Sequence, residues 1–403
     1  MSTFDFPWQR VAAGANLLSP NGDLGVTIFE EITTLAVKHQ AINLGQGFPD
    51  TDGPKAYKDM AARGISGDLN QYAPGSGILP LRQAISDHQK RFYGLDVNPV
   101  DEVVVTTGAT EAIAAAILAF VSPGDEVITF EPFYDSYGAT IGLAGGVHKT
   151  VTLNAPDFQP DVSALRAAFS ERTRMIVLNN PHNPTGTTFG KELLAEIVAL
   201  ATEHDCLIVS DEVYEHLTFG VAHLPIATLP GAWERTITIS SVGKTFSFTG
   251  WKVGWATGPA NLVAAVRTVK QFLSYSSGAA FQPAVAEALG AETGFFTGFA
   301  KDLGERSEVL AKGLEAAGMA VYRPRGTYFI VADVAPLGFD NALDLARQMP
   351  ESIGVAGIPL SVFCHAEGAE RTRSLMRFAF CKKPELLTEA AKRLSRLSAK
   401  VGG

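Results

Sequence analysis

Between residues 102 and 241, short apolar runs alternate with longer helix-like segments, and no other feature of the chain constrains its fold as strongly. Runs of strand length lie at 102–106 (EVVVT), 126–130 (EVITF), 148–153, 175–179, 207–210 and 236–240. Helical patterns fall between them at 110–121, near 137–144, at 161–169 and at 191–204, the first closed by Ser122-Pro123-Gly124-Asp125. Such alternation predicts a mainly parallel sheet with helices on both faces. In sheets of this kind ligands sit outside the carboxyl ends of the strands, so polar residues directly after each strand are the first candidates for chemistry.

Outside this region the texture changes. Residues 26–40 read as an amphipathic helix, with Ile28, Ile32 and Leu35 at helical spacing. After 296 come helices, a turn at Arg325-Gly326-Thr327, strands at 328–332 and 375–380, and a last helix over 384–397. The expected fold class is α/β. A large domain over 45–295 holds the mainly parallel sheet, and a smaller α+β domain is built from both chain ends, 1–44 and 296–403. A length of 403 residues suits two or three domains, and 46% hydrophobic with 19% charged residues excludes a largely disordered chain. The net charge of −9 argues against a nucleic-acid partner, which would need a cationic face. Three scattered cysteines support neither a disulfide framework nor a Cys-rich metal site, and no metal is expected. Asp5 and Arg10 interrupt what a signal peptide would need, and the longest apolar run, 112–121, is too short to span a bilayer. The expectation is a soluble cytoplasmic protein without a membrane partner.

Three tempting motifs fail on context. Gly45-Gln46-Gly47 starts like a dinucleotide fingerprint, but Asp50 stands where the third glycine belongs and Pro49 opposes a helix. Gly243-Lys244-Thr245 ends like a phosphate-binding P-loop, yet the loop's first glycine would be Thr238, inside a strand. Ser241-Val242-Gly243-Lys244 has the S-x-x-K pattern without its companion motifs.

What remains is a set of polar residues at strand ends. The run 175–179 leads into Asn180-Pro181-His182-Asn183-Pro184-Thr185-Gly186, where an Asn between prolines is ordinarily a turn. The run 207–210 delivers Asp211 and then Tyr214; a carboxylate there is as often a helix cap. The run 236–240 delivers Ser241, Lys244 and then Lys252. Lys244 lies among Phe246, Phe248, Trp251 and Trp255, surroundings that would depress its pKa and free a nucleophilic amine.

The order and spacing of Asn183, Asp211, Tyr214, Ser241, Lys244 and Lys252 resemble the fold-type I, class I/II aminotransferases that use pyridoxal 5′-phosphate. The motifs NPHNPTG, SDEVYEHL and SSVGKTFSFTGWKVGW are most similar to the kynurenine/glutamine/methionine transaminase branch and to actinobacterial N-succinyldiaminopimelate aminotransferases. The resemblance runs from Asn43 to Arg377. It implies that Lys244 forms the resting Schiff base and then carries the proton, helped by the nearby cation Lys252. Asp211 would pair with the pyridine nitrogen, Asn183 and Tyr214 would bond the phenolate oxygen, and Tyr134 would stack on the ring. The phosphate would rest on the amides of Gly108, Ala109 and Thr110 at a helix N-terminus, with Ser241 and Lys252 completing the cradle. Lys252 stands where the family often has arginine, so that contact lacks a bidentate fork.

Tyr72, in NQYAPGSG, matches a tyrosine that reaches the phosphate from the neighbouring subunit, which implies a homodimer with shared active sites. Arg377 matches the clamp for the substrate α-carboxylate, with Gly45 and Asn183 beside it. Phe29 stands where kynurenine enzymes have tryptophan, and Tyr275-Ser276 replaces their Phe-His pair. The expected reaction moves the amino group of a neutral, sulfur-containing or aromatic L-amino acid to a 2-oxo acid such as 2-oxoglutarate. The named alternative substrate is N-succinyl-LL-diaminopimelate, for whose distant carboxylates Arg325 and Lys270 are the candidate cations. A β-lyase acting on cysteine conjugates is a rival within the same chemistry. A non-enzymatic regulator would need a DNA-binding module, and fewer than thirty non-basic residues precede the first helical pattern.

Overall fold

The computed structural model describes residues 6–18 and 22–397. An eight-stranded sheet forms its centre, in the order Val103–Thr107, Val253–Thr257, Thr236–Ser241, Leu207–Asp211, Thr173–Asn179, Glu126–Glu131, Val147–Asn154, Gln159–Pro160. Val253–Thr257 runs antiparallel to both its neighbours, and the two-residue Gln159–Pro160 is an antiparallel edge. The other six strands share one direction. Thr236–Ser241 and Glu126–Glu131 are buried at every position, their Thr, Ser and Glu side chains included, because the sheet is covered on both faces.

The helices owe their limits to local chemistry. Thr27 caps Ile28–Lys38 by accepting from the Glu30 amide, with Glu30 and Glu31 in the first turn and Lys38 in the last. Asp161 does the same for Val162–Ala168. Gly108–Phe120 is alanine-rich because it is wedged between the sheet and the helices Asp135–Ala144 and Ala260–Leu273; Ala112, Ala115 and Ala116 are fully buried there. At the carboxyl end of Pro7–Gly14 the chain touches Asp135–Ala144 backbone to backbone. A Cβ on Gly14 or on Gly138 would lie within about 2.2 Å of the other's carbonyl oxygen.

A second sheet of four antiparallel strands has the order Ala320–Tyr322, Phe329–Asp333, Leu375–Ala379, Ile358–Pro359. Residues Ile42–Asn43 pair in parallel with Val355–Ala356, so the amino-terminal region closes onto the carboxyl-terminal one. The turn before Phe329–Asp333 is tied to the loop after Thr173–Asn179. The amides of Arg325 and Gly326 both donate to the Gly186 carbonyl at 2.8 and 2.9 Å. This junction sets the smaller sheet, with Arg377 at its middle, over the carboxyl ends of the larger one.

Candidate active site

Register brings the first part of the site together. Asn179 lies opposite Asp211, Asp211 opposite Ile239, and Ser241 follows two residues beyond. Above these ends is a cavity of about 260 Å³ that reaches from Asp211 to Lys252 and Arg377.

Asp211 is 5% exposed and accepts from the Tyr137 hydroxyl at 2.6 Å and the Val213 amide at 3.3 Å. Burial outweighs these donors and pushes its carboxyl up to about 6. Tyr214 is buried beside it, its phenol also raised by burial. Lys244 emerges from the single helical turn Val242–Thr245, directly after Thr236–Ser241. Its Nζ donates to the Tyr328 hydroxyl at 2.9 Å and lies 5.7 and 5.5 Å from the ring centroids of Tyr214 and Tyr328. Burial brings the amine down to about 8, with Cys381 and Asp211 opposing that shift and Arg377 and Lys252 adding to it. The depressed amine expected from sequence is present, but its walls differ. Among the four aromatic residues near it in sequence, only Phe248 lines the cavity, whereas Phe246, Trp251 and Trp255 pack into a separate core beneath the loop.

The opposite end of the cavity is cationic. Gly108, Ala109 and Thr110 open the helix Gly108–Phe120 and line the cavity with Ser241 and Lys252. Lys252 is exposed, and its Nζ stands 3.4 Å from the Thr110 hydroxyl. Gly108 and Lys252 both have left-handed backbone, φ +71° and +51°. A Cβ on Gly254 would fall 2.5 Å from the Gly108 carbonyl carbon, so glycine there lets Val253–Thr257 run flush against the loop.

Arg377 projects from the middle of Leu375–Ala379 and is 2% exposed. Its Nη1 donates to Asn183 Oδ1 at 3.0 Å and its Nη2 to the Gly45 carbonyl at 2.8 Å, while the buried Nε has no partner. The guanidinium carbon lies 4.1, 4.7 and 5.6 Å from the ring centroids of Phe329, Phe363 and Phe29. Burial lowers its pKa to about 10, still a cation at neutral pH. Tyr134 and Phe29 also face the cavity.

Some expected residues are elsewhere. Tyr72 is 83% exposed and meets Tyr275 edge-on at 5.5 Å, and neither lines this chain's cavity. Lys270 is fully buried, and its ammonium is spent on the Gly75 carbonyl at 2.9 Å and the Tyr275 carbonyl. Arg325 is exposed and outside the cavity lining. Neither cation is free within this chain's cavity for a distant carboxylate. Conversely, sequence reasoning missed Tyr137, Tyr328, Phe329 and Phe363. Tyr137 could have been found from EPFYDSY, where two tyrosines three apart flank the start of a helix; for the other three nothing local signals a role. His88, Glu215 and His216 also cluster away from the cavity, their nitrogen and carboxylate atoms within 4.8 Å of one another. The two imidazole Nε2 atoms are 2.7 Å apart, and Glu215 accepts from Tyr93 and Ser240.

Residues 39–394 match the family model "Aminotransferase class I and II". The chain is 48% identical over 382 residues to the probable N-succinyldiaminopimelate aminotransferase DapC of Mycobacterium tuberculosis, covering 92% of this chain and 96% of that one. It is 39% identical over 375 residues to the methionine aminotransferase of Escherichia coli, covering 93% and 96%. The solved structure of N-succinyldiaminopimelate aminotransferase from M. tuberculosis superposes with a TM-score of 0.89 at 49% identity, over 92% of this chain and 97% of that one. The family match spans both sheets and every residue of the cavity beyond Phe29. The chain is therefore a transferase of the class I and II aminotransferase family.

Proposed function

We propose that the protein is a pyridoxal 5′-phosphate-dependent aminotransferase that moves the amino group of a neutral, sulfur-containing or aromatic L-amino acid to a 2-oxo acid such as 2-oxoglutarate. The chemistry of the donor set fits that cofactor. Asp211 offers a carboxylate for a ring nitrogen at one end of the cavity, and Lys252 with the helix start at Gly108, Ala109 and Thr110 offers cationic and amide partners for a phosphate at the other. Lys244 lies between them, Tyr134 supplies a flat wall, and Asn183, Tyr214 and Ser241 supply polar groups. Bound there, pyridoxal phosphate would act as an electron sink for the substrate Cα.

The chain's own residues account for the rest. Lys244, its amine brought down to about 8, is neutral often enough near neutral pH to attack and to accept a proton. Asp211 holds a negative charge in a desolvated position, where it favours a protonated partner. Arg377 lines the cavity with its plane fixed by Asn183 and Gly45 and its buried Nε unpartnered, and its guanidinium would pair with a substrate carboxylate. The phenyl rings of Phe29, Phe329 and Phe363 exclude water around that pair.

One observation carries the substrate reading. The cations that line the cavity are Lys244, Lys252 and Arg377, and the first two are assigned to the cofactor. Among the described residues of this chain a single cation then remains for substrate, enough for an α-carboxylate, so that a cation for a side-chain carboxylate would have to come from the partner subunit. The 48% identity with the M. tuberculosis protein favours a second reading, N-succinyl-LL-diaminopimelate as amino donor. The test is a panel of amino donors, with cofactor absorbance followed in the half-reaction and kcat/KM compared for methionine, glutamine, kynurenine and the succinylated substrate. Neutral donors are expected to lead. A lead of more than about a hundredfold for the succinylated substrate, roughly 2.7 kcal/mol of transition-state preference, would overturn the substrate assignment. We also infer that the enzyme works in the cytoplasm as a homodimer, with residues 45–295 as its cofactor-binding domain. Among the described residues no helix is long and apolar enough to cross a membrane.

A further inference from the structure

Tyr328 is fully buried and does not line the cavity, yet its hydroxyl meets the amine of Lys244. Its place is fixed from both sides. The Thr327 amide donates to the Leu217 carbonyl at 2.8 Å, and the Phe380 amide donates to the Tyr328 carbonyl at 2.9 Å. Thr327 has left-handed backbone, φ +69°, and its hydroxyl accepts from the Phe329 amide at 3.1 Å. The Tyr214 ring stands edge-on to the Tyr328 ring at 5.3 Å. The phenol therefore has little freedom to move.

Its single proton decides the direction of the bonds. The hydroxyl donates to the Gly47 carbonyl at 2.5 Å, so toward Lys244, 2.9 Å away, the oxygen acts as acceptor. One N–H of the amine is then held on Tyr328, and the lone pair of the neutral amine points elsewhere. Gly47 belongs to the same loop as Gly45, whose carbonyl accepts from Arg377. That loop lies flat on Phe329, where a Cβ at position 47 would come 2.4 Å from the ring. The contacts run without a break from the guanidinium of Arg377 through the 45–47 loop and Tyr328 to the amine of Lys244.

We propose that Tyr328 is a positioning residue for Lys244, holding the ε-amine in place whenever the lysine is not covalently engaged and tying its orientation to the loop that binds Arg377. The inference rests on the reading of Lys244 as the cofactor-bearing, proton-carrying lysine. A phenol oxygen that accepts from the amine favours the ammonium form over the neutral one. Asp211 and Cys381 act in the same direction and Arg377 and Lys252 against it, while the phenol oxygen itself also interacts with the Tyr214 hydroxyl and with Arg377.

Tyr328→Phe keeps the ring and its packing and removes only that oxygen. Two measurements test it. In cofactor-free protein, Lys244 is acetylated with acetic anhydride across a pH series and quantified by peptide mapping. The labelling midpoint of Tyr328→Phe is expected to fall by at least about half a pH unit, whereas a purely structural contact would lower thermal stability and leave the midpoint in place. In the loaded enzyme, kcat is expected to fall at least about tenfold with KM changed less than about threefold. A smaller shift of the midpoint, a smaller loss of kcat or a loss expressed mainly in KM overturns the proposal. Borohydride reduction of wild-type holoenzyme separates this from the parent reading: cofactor mapped to a lysine other than Lys244 sinks that reading, while cofactor on Lys244 with an unaffected Tyr328→Phe sinks only the role of Tyr328.

Discussion

Asp211 carries its charge at a cost that the cofactor-free chain has to bear. Its folded pKa near 6 lies above the ordinary 3.8, so the folded state binds the proton more tightly than the unfolded state does. The cost is absent below about pH 3.8, grows between there and 6, and is fully present above 6. A rise from 3.8 to about 6 corresponds to on the order of 3 kcal/mol. Asp211→Asn should therefore stabilise the cofactor-free protein by about 1–3 kcal/mol at pH 8, and the gain should vanish as the pH falls toward 4; denaturant titrations at the two pH values check it. The same substitution removes the charge proposed to hold a ring nitrogen protonated. Turnover of the loaded enzyme should fall by at least about a hundredfold, roughly 2.7 kcal/mol. A variant both unstabilised and within tenfold of wild type would refute the role. Asp211, Tyr214 and Lys244 could be singled out as candidates from the sequence because each follows a strand-length run at the end where ligands bind, and all three line the cavity. Tyr137 and Tyr328 were not singled out. Their partners lie 74 and 84 residues away, and only the packed structure tells a functional buried tyrosine from any other.

At the scale of elements, the strands of the parallel sheet were legible because short runs rich in Val, Ile and Thr recur between helical patterns, although Thr236–Ser241 buries polar residues and Val147–Asn154 is partly exposed. Thr236–Ser241 and Leu207–Asp211 each extend one residue past the expected runs, and the added residues, Ser241 and Asp211, both line the cavity. Val253–Thr257 escaped notice because its sequence, VGWAT, is short, contains glycine and follows two residues after a 3-10 turn at Thr249–Trp251 that itself ends no helix. That glycine is what lets the strand pack against the loop at Gly108 and Ala109. With a Cβ at 254 placed 2.5 Å from the Gly108 carbonyl carbon and 2.6 Å from the Ala109 amide nitrogen, either the strand or the cradle has to move. Gly254→Ala should destabilise the protein by about 1–3 kcal/mol, the usual cost of overpacking. It should also weaken cofactor retention, because the displaced atoms are the proposed phosphate partners. Thermal midpoints with and without added cofactor measure both effects. A variant with an unchanged midpoint and unchanged retention on dialysis would show that the cradle tolerates the shift.

At the scale of the whole molecule, the large apolar side chains exposed among the described residues are spread over many elements, and Tyr72 and Tyr275 are a pair of them in mutual contact. Tyr72, 83% exposed, stands edge-on to Tyr275, and Phe272 and Leu273, at 86% and 51%, end the helix just before Tyr275. Large apolar side chains grouped in this way mark an association surface more than an ordinary exterior. The segment around Tyr72 and the end of Ala260–Leu273 are the parts that would meet a second copy. A homodimer built on this face would explain why Tyr72 and Tyr275 turn away from their own cavity: their contribution would be to the partner's. Tyr72→Ala and Lys244→Ala should then each be nearly inactive alone, since every site in either homodimer lacks one of the two residues. After mixing in equal amounts, unfolding and reassembly, half the dimers are mixed, and each mixed dimer has one intact site of two. Activity should recover to roughly a quarter of the wild-type value, as random pairing of a two-fold dimer requires. No recovery, with mixed dimers demonstrated by mass spectrometry, would place Tyr72 and Lys244 in the same subunit's site, and sedimentation of an active monomer would remove the shared site altogether.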